Sequence, residues 1–106
     1  MHTINRKQLK NRLEHGDRLT LILAGDARTY EQAHIPGSVP FTGAETMRKL
    51  DPNQEVVVYC TNSVCYTSYT LVQYLLKHGY KNVSRYPGGL EEWDAAGYPL
   101  EGRMVS

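Results

Sequence analysis

The sequence lacks any long apolar run. Its longest, Leu19 to Ala24 (broken only by Thr20) and Val56 to Cys60, fall far short of the roughly twenty residues that cross a membrane, so no membrane association is expected. It lacks a charged-then-apolar leader. Met1-His2-Thr3-Ile4 runs straight into helical periodicity, which argues against secretion and makes a reducing cytoplasm the expected location, with the cysteines as thiols. It has almost no net charge, +1 from 12 Lys and Arg against 11 Asp and Glu, and so no electrostatic footprint for nucleic acid. The early cluster Arg6, Lys7, Lys10 and Arg12 reads as the wet side of a helix. Repeats and low-complexity linkers are absent, and 106 residues suffice for one domain, 1–106, rather than two. There are only two cysteines, Cys60 and Cys65, with no adjacent His pair. That is too little for a tetrahedral metal site.

What is present is the make-up of a globular chain: 41% hydrophobic and 22% charged residues, in segments that alternate between helical and extended patterns. Asn5 is a plausible N-cap, Leu9 and Leu13 follow at helical spacing, and Gly16 stands where a helix stops. Leu19 to Leu23 reads as a strand buried on both faces. A turn or short helix spans Thr29 to Ala33, and Ile35-Pro36-Gly37-Ser38 forces extended or turn geometry. Gly43 to Leu50 is expected to be a short helix. Val56 to Cys60, β-branched and uninterrupted, is the clearest strand. A helix over about Tyr69 to His78 carries Leu71, Val72, Leu75 and Leu76 on its apolar face. Val83 to Tyr86 is a short strand, and Leu90 to Ala96 is a helix behind the turn Pro87-Gly88-Gly89. Strands alternating with helices predict an α/β fold: a central, mostly parallel sheet with helices on both faces.

In such a sheet, ligands bind outside the carboxyl ends of the strands. Cys60 stands at that end of the strongest strand, followed by the polar loop Thr61, Asn62, Ser63, Val64, Cys65, Tyr66, Thr67 and Ser68 and then by a helix. A strand–loop–helix turn of this kind brings backbone N–H groups and the positive helix end together, which favours a thiolate over a thiol. Thr61, Asn62, Ser63 and Ser68 can add hydrogen bonds. Position alone leaves open a second reading, in which Cys60 is a small hydrophobe closing a strand.

Three blocks then stand in order: Tyr30 with His34-Ile35-Pro36-Gly37-Ser38-Val39; Val56-Val57-Val58-Tyr59-Cys60 with its loop and helix as far as Gly79-Tyr80-Lys81-Asn82-Val83; and Tyr86-Pro87-Gly88-Gly89-Leu90-Glu91-Glu92-Trp93 with Ala96-Gly97-Tyr98-Pro99. The chain resembles a single-domain rhodanese, and the resemblance runs from the first helix nearly to the end. It implies a rhodanese-like domain and a sulfurtransferase in which Cys60 is the persulfide-forming nucleophile and Thr61 to Ser68 are the loop that holds the persulfide. A small sulfur-donor anion or protein persulfide would supply the sulfur, a thiol or cyanide would accept it, and no metal or organic cofactor would take part.

The sequence also departs from that family. The Asp-x-Arg motif common there has its likeness in Asp26-Ala27-Arg28. Counting back from His34, the motif positions fall instead on Leu23 and Gly25, so Asp26 and Arg28 read as a loop ion pair. The stretch after Cys60 is longer than the family's commoner loop, and no Lys or Arg occurs from Thr61 to Leu76. That weakens thiosulfate as the preferred donor and favours an uncharged or protein-bound one. Related phosphatases of the fold carry an arginine where Tyr66 stands. A dianion needs such bidentate charge, which argues against phosphatase or arsenate reductase activity.

Cys65 has two readings, a resolving cysteine that attacks an oxidised or persulfidated Cys60 and an idle buried cap. His34 reads as a turn-fixing hydrogen-bonding residue, Gly88 and Gly89 as conformational, and Trp93 as core with an indole N–H in need of a partner. Tyr66 and Tyr69 are candidate walls of an acceptor pocket. Two rivals to an enzyme stand beside it: a non-catalytic rhodanese-like module that binds a partner protein, and a thiol–disulfide redox module built on Cys60 and Cys65.

Overall fold

The computed structural model describes residues 2–16, 18–25, 27–41, 43–51, 53–61 and 66–103. The elements in chain order are β1 (His2–Thr3), α1 (Arg6–Glu14), β2 (Leu19–Leu23), α2 (Ala27–Gln32), β3 (Val39–Pro40), α3 (Ala44–Lys49), β4 (Glu55–Tyr59), α4 (Thr67–Lys77), β5 (Val83–Tyr86) and α5 (Gly89–Ala95). The strands form one sheet in the order β1-β5-β4-β2-β3, and every neighbouring pair is parallel. The expected α/β architecture is therefore what the chain forms.

Local chemistry explains the starts and stops. Asn5 Oδ1 accepts the Gln8 N–H at 2.8 Å while Gln8 Oε1 accepts the Asn5 N–H at 3.0 Å, a reciprocal cap that opens α1. Strand residues alternate between the two faces of the sheet. Leu21, Leu23, Val57, Tyr59 and Tyr86 pack with Leu9 of α1 and with Leu90 and Trp93 of α5. Ile22, Val56, Val58 and Val83 pack with Leu71, Val72 and Leu75 of α4. Each face thus has its own core, and the central strands β2 and β4 are covered on both sides.

Three expectations need correction. Strands β1 and β3 were not anticipated, because two residues carry no periodicity. Each is made by its neighbour: Ile4 N–H donates to the Arg85 carbonyl at 3.0 Å, and Phe41 N–H to that of Leu23 at 3.2 Å. Helix α4 begins at Thr67, ahead of the expected Tyr69. Leu76 does not belong to its apolar face; it is exposed, while Val72 and Leu75 are fully buried, since a helix turns only a narrow stripe toward one sheet.

Tyr59 ties β4 to the turn at Ile35–Ser38. It is fully buried, its hydroxyl accepts the Ile35 N–H at 3.0 Å, and it pairs with Ser38 Oγ at 2.8 Å. Burial pushes its phenol from 10.0 up to about 12. Tyr86 is raised too, by burial first and then by its hydrogen bond to Glu92. Because the folded-state value lies above that of the unfolded chain, the stability tied to Tyr59 is whole below pH 10 and is lost as the pH climbs from 10 to 12. We expect urea-unfolding stability to fall through that window by about 1.4 kcal/mol per pH unit for each such tyrosine. Tyr59→Phe should flatten the slope while costing about 1–3 kcal/mol at pH 7, where the Ile35 N–H loses its acceptor. A stability independent of pH across the window would contradict this.

Candidate active site at the end of β4

Cys60 follows directly on β4 and is only 4% exposed. Its Sγ lies 3.5 Å from the Ala24 carbonyl oxygen, just past the end of β2. Two further bonds fix the exit from the strand. The Leu90 N–H donates to the Cys60 carbonyl at 2.9 Å, and the Glu91 N–H to that of Thr61 at 2.9 Å. The first turn of α5 therefore clamps the start of the cysteine loop. The turn before that helix makes this approach possible: Gly89 sits at φ 68°, a conformation costly for any residue with a Cβ. A Cβ on Gly88 would fall 2.5 Å from the Glu92 carboxylate. Gly89 is thus conformational, as its sequence suggested, whereas Gly88 takes ordinary helical angles and its Cβ would meet only the movable end of the Glu92 side chain; the turn brings backbone to the cysteine loop.

Of the loop residues, Thr61 is half-buried beside α5, and Tyr66 and Thr67 are exposed at the start of α4. Asn62, Ser63, Val64 and Cys65 lie outside the described residues. Ser68 is buried, and its Oγ accepts the Arg85 Nε–H at 2.9 Å. Among the described residues, no side chain caps the N-terminus of α4. Cys60 takes part in a disulfide in this structure, where the sequence reading expects a resting thiol. Compartment alone does not set the state of two cysteines close in sequence, because closing a short loop costs little chain entropy.

Arg85 is the residue that the sequence did not bring to notice. It sits on β5 opposite Val58 in the parallel register, on the face packed by α4, and its half-buried guanidinium reaches the first turn of that helix. A survey of the loop alone finds no cation. On the neighbouring strand Arg85 reaches Ser68 in the first turn of α4, and its signal in the sequence is an arginine inside a short strand pattern.

Beside Cys60 opens a pocket of about 650 Å³, within the ~300–1,000 Å³ usual for small-molecule sites. Its walls include Ala24, Phe41, Thr67, Thr70, Leu71 and Tyr74. The rings of Phe41 and Tyr74 meet edge to face, centroids 6.4 Å apart. Tyr66 and Tyr69, the walls expected from sequence, do not line it; Tyr66 is 81% exposed. A second hollow, about 730 Å³, is lined by Arg18, Leu19, Glu55 and Asn82 among others. It lies at the amino ends of β2 and β4, the wrong end of the sheet for Cys60.

The remaining candidates are structural. His34 Nδ1 lies 2.8 Å from the Tyr30 carbonyl, its ring stacks on Tyr30 at 3.8 Å, and its backbone pairs with Glu101. Trp93 is buried and its Nε1–H donates to the Pro99 carbonyl at 2.9 Å. Arg28 is exposed on α2, in a hollow with Glu31 and Arg103, and its expected partner Asp26 lies outside the described residues. Among the described residues, no group of three or more His, Cys, Asp or Glu is placed to hold a metal. No helix among them is long and apolar enough to cross a membrane.

Comparison with known proteins agrees with this geometry. The family model for the rhodanese-like domain matches residues 5–96. The thiosulfate sulfurtransferase GlpE of Coxiella burnetii is 33% identical over 73 residues, which is 66% of this chain and 66% of that protein, just under two thirds of its length. The protein of the same name from Pseudomonas savastanoi is 33% identical over 84 residues, 76% of each chain. Among solved structures, the rhodanese-like domain of an Anabaena protein superposes with a TM-score of 0.87 at 28% identity, covering 98% of this chain and 81% of the other. The family match takes in every element described above except β1, and the chain belongs to the rhodanese-like domain family.

Proposed function

We propose that the protein is a rhodanese-type sulfurtransferase that carries sulfane sulfur as a persulfide on Cys60. The observation that carries this reading is the position of Cys60: buried at the carboxyl end of the central strand β4 and against the carbonyl of Ala24, a residue that lines a pocket, in a family with members named thiosulfate sulfurtransferase.

The chemistry is two displacements at sulfur. The Cys60 thiolate attacks the outer sulfur of the donor; with thiosulfate, the S–S bond breaks and sulfite leaves with the electron pair, giving the Cys60 persulfide anion. An acceptor then attacks the terminal sulfur, and the Cys60 thiolate leaves. Cyanide becomes thiocyanate in this step, and a thiol becomes a hydropersulfide. The positive N-terminus of α4, which no described side chain caps, favours an anion near it. Arg85, held on Ser68, adds positive charge to the same region. The intact cysteine speaks against a module that only binds a partner.

The disulfide at Cys60 favours one second reading, a redox module in which Cys60 and Cys65 cycle between dithiol and disulfide. The enzyme reading requires reduction by a thiol before sulfur can load. Cys65→Ser separates the two. Under sulfur transfer, the variant forms thiocyanate from thiosulfate or polysulfide and cyanide, and no longer needs prior reduction. Under the redox reading, it forms none at any stage, and its loss of reductant-dependent cycling is the whole phenotype. Thiocyanate assays with and without dithiothreitol decide between them.

A further inference from the structure

The pocket beside Cys60 has a chemistry that a bare inorganic anion does not use. Phe41 and Tyr74 form aromatic walls and Leu71 adds an aliphatic one, while the hydroxyls of Thr67, Thr70 and Tyr74 are the polar side-chain groups among the described lining residues. Thr70 already spends its hydroxyl hydrogen on the Tyr66 carbonyl at 3.1 Å. No Lys, Arg, Asp or Glu lines the pocket among the described residues. At about 650 Å³ it is far larger than thiosulfate or cyanide needs. Ala24 belongs both to the pocket wall and to the contact with Cys60 Sγ, which makes the pocket a neighbour of the cysteine, one residue away.

We infer that this pocket takes the uncharged apolar body, aromatic by preference, of a small organic thiol or of its hydropersulfide. The inference rests on the reading of Cys60 as the persulfide carrier, and adds to it the class of the exchange partner. The two ligand forms are the two sides of one reversible step. In it the Cys60 thiolate and R–S–SH give Cys60–S–SH and R–S⁻: the bond between the two sulfurs of the ligand breaks, a bond from Cys60 to the outer sulfur forms, and the electron pair leaves on R–S⁻. Every atom and charge is conserved, and no oxidant enters once Cys60 has been reduced. An apolar wall binds R without penalty, whereas a charged R must give up water with no counter-charge from the described lining residues.

The test uses the full chain, reduced and then loaded with polysulfide. Acceptor kcat/KM is measured for benzyl thiol, for 3-mercaptopropionate and for cyanide, in the wild type, Phe41→Ala and Tyr74→Ala. Tyr74 is 43% exposed and Phe41 only partly buried, so both variants are expected to fold. The wild type should prefer benzyl thiol to 3-mercaptopropionate by tenfold or more. Each substitution should lower the ratio of benzyl thiol to cyanide by about tenfold, the equivalent of roughly 1.4 kcal/mol of lost contact.

Equal use of the two thiols, or ratios unmoved by both substitutions, would overturn the proposal. Amide NMR with unreactive benzyl alcohol provides a readout that does not depend on sulfur chemistry: shifts at Gly25, Phe41, Thr67 and Leu71 support the pocket, and their absence overturns it. If Cys60→Ser still transfers sulfur, the reading of Cys60 fails while the NMR result stands. If Cys60→Ser is dead and benzyl alcohol moves nothing, the pocket inference fails alone.

Discussion

Cys60→Ser should remove thiocyanate formation altogether, to the level of the uncatalysed reaction, while leaving the fold intact. A serine hydroxyl is smaller than a thiol, suits a nearly buried position and still faces the Ala24 carbonyl; the disulfide is lost, so the fold is compared with that of the reduced wild type, in which the bond is also open. What goes is the nucleophile: an alkoxide is inaccessible at neutral pH, and a serine cannot hold sulfane sulfur in exchangeable form. The loss should be at least about a thousandfold, since the covalent route has no substitute in the site. Circular dichroism and thermal unfolding serve as controls. If Cys60→Ser retained transfer and Cys65→Ser lost it, the nucleophile would be Cys65.

The second large effect lies in Trp93, which never meets the substrate. Trp93→Ala should cost about 3–5 kcal/mol of unfolding free energy. The indole is 2% exposed. It stands edge-on between Tyr86 at 6.1 Å and Tyr98 at 4.8 Å and donates to the Pro99 carbonyl. Removing it opens a void between α5 and the sheet and orphans that carbonyl. Because Leu90 and Glu91 of the same helix hold the Cys60 and Thr61 carbonyls, loosening α5 also loosens the start of the cysteine loop. Trp93→Phe keeps most of the packing and should recover more than half of the lost stability. Transfer rates should follow the same order when measured well below the melting temperature. A Trp93→Ala variant as stable as the wild type would contradict the packing described here.

These two residues also illustrate what was readable from sequence. Val56 to Tyr59 announced β4 because an unbroken β-branched run has few other ways to fold, and Cys60 could then be placed at the end of that strand. Trp93 read as core because it sits on a short amphipathic helix between a Gly-Gly turn and Gly97. The two-residue strands β1 and β3 were invisible, since each borrows its geometry from a neighbour. Arg85 and the Phe41–Tyr74 pocket were hidden for a related reason. They come together only when β5 lies beside β4, and when the segment after β3 packs against α4. Tyr66 and Tyr69 were close to the site in sequence, but helical rotation turns them to solvent, whereas Tyr74, further along α4, faces the pocket. The disulfide at Cys60 is not legible in the sequence, where the spacing of Cys60 and Cys65 permits the bond without fixing it as the state of the chain.

The central claim is that Cys60 carries sulfur, and intact-protein mass measures it most directly. Reduced protein, freed of reductant, is incubated with thiosulfate and separately with polysulfide, then with cyanide. The account predicts a gain of one sulfur atom from at least one donor, its removal by cyanide with release of thiocyanate, and no gain in Cys60→Ser. A wild-type protein that gains no sulfur from either donor, or a Cys60→Ser variant that gains it as readily, would contradict the account.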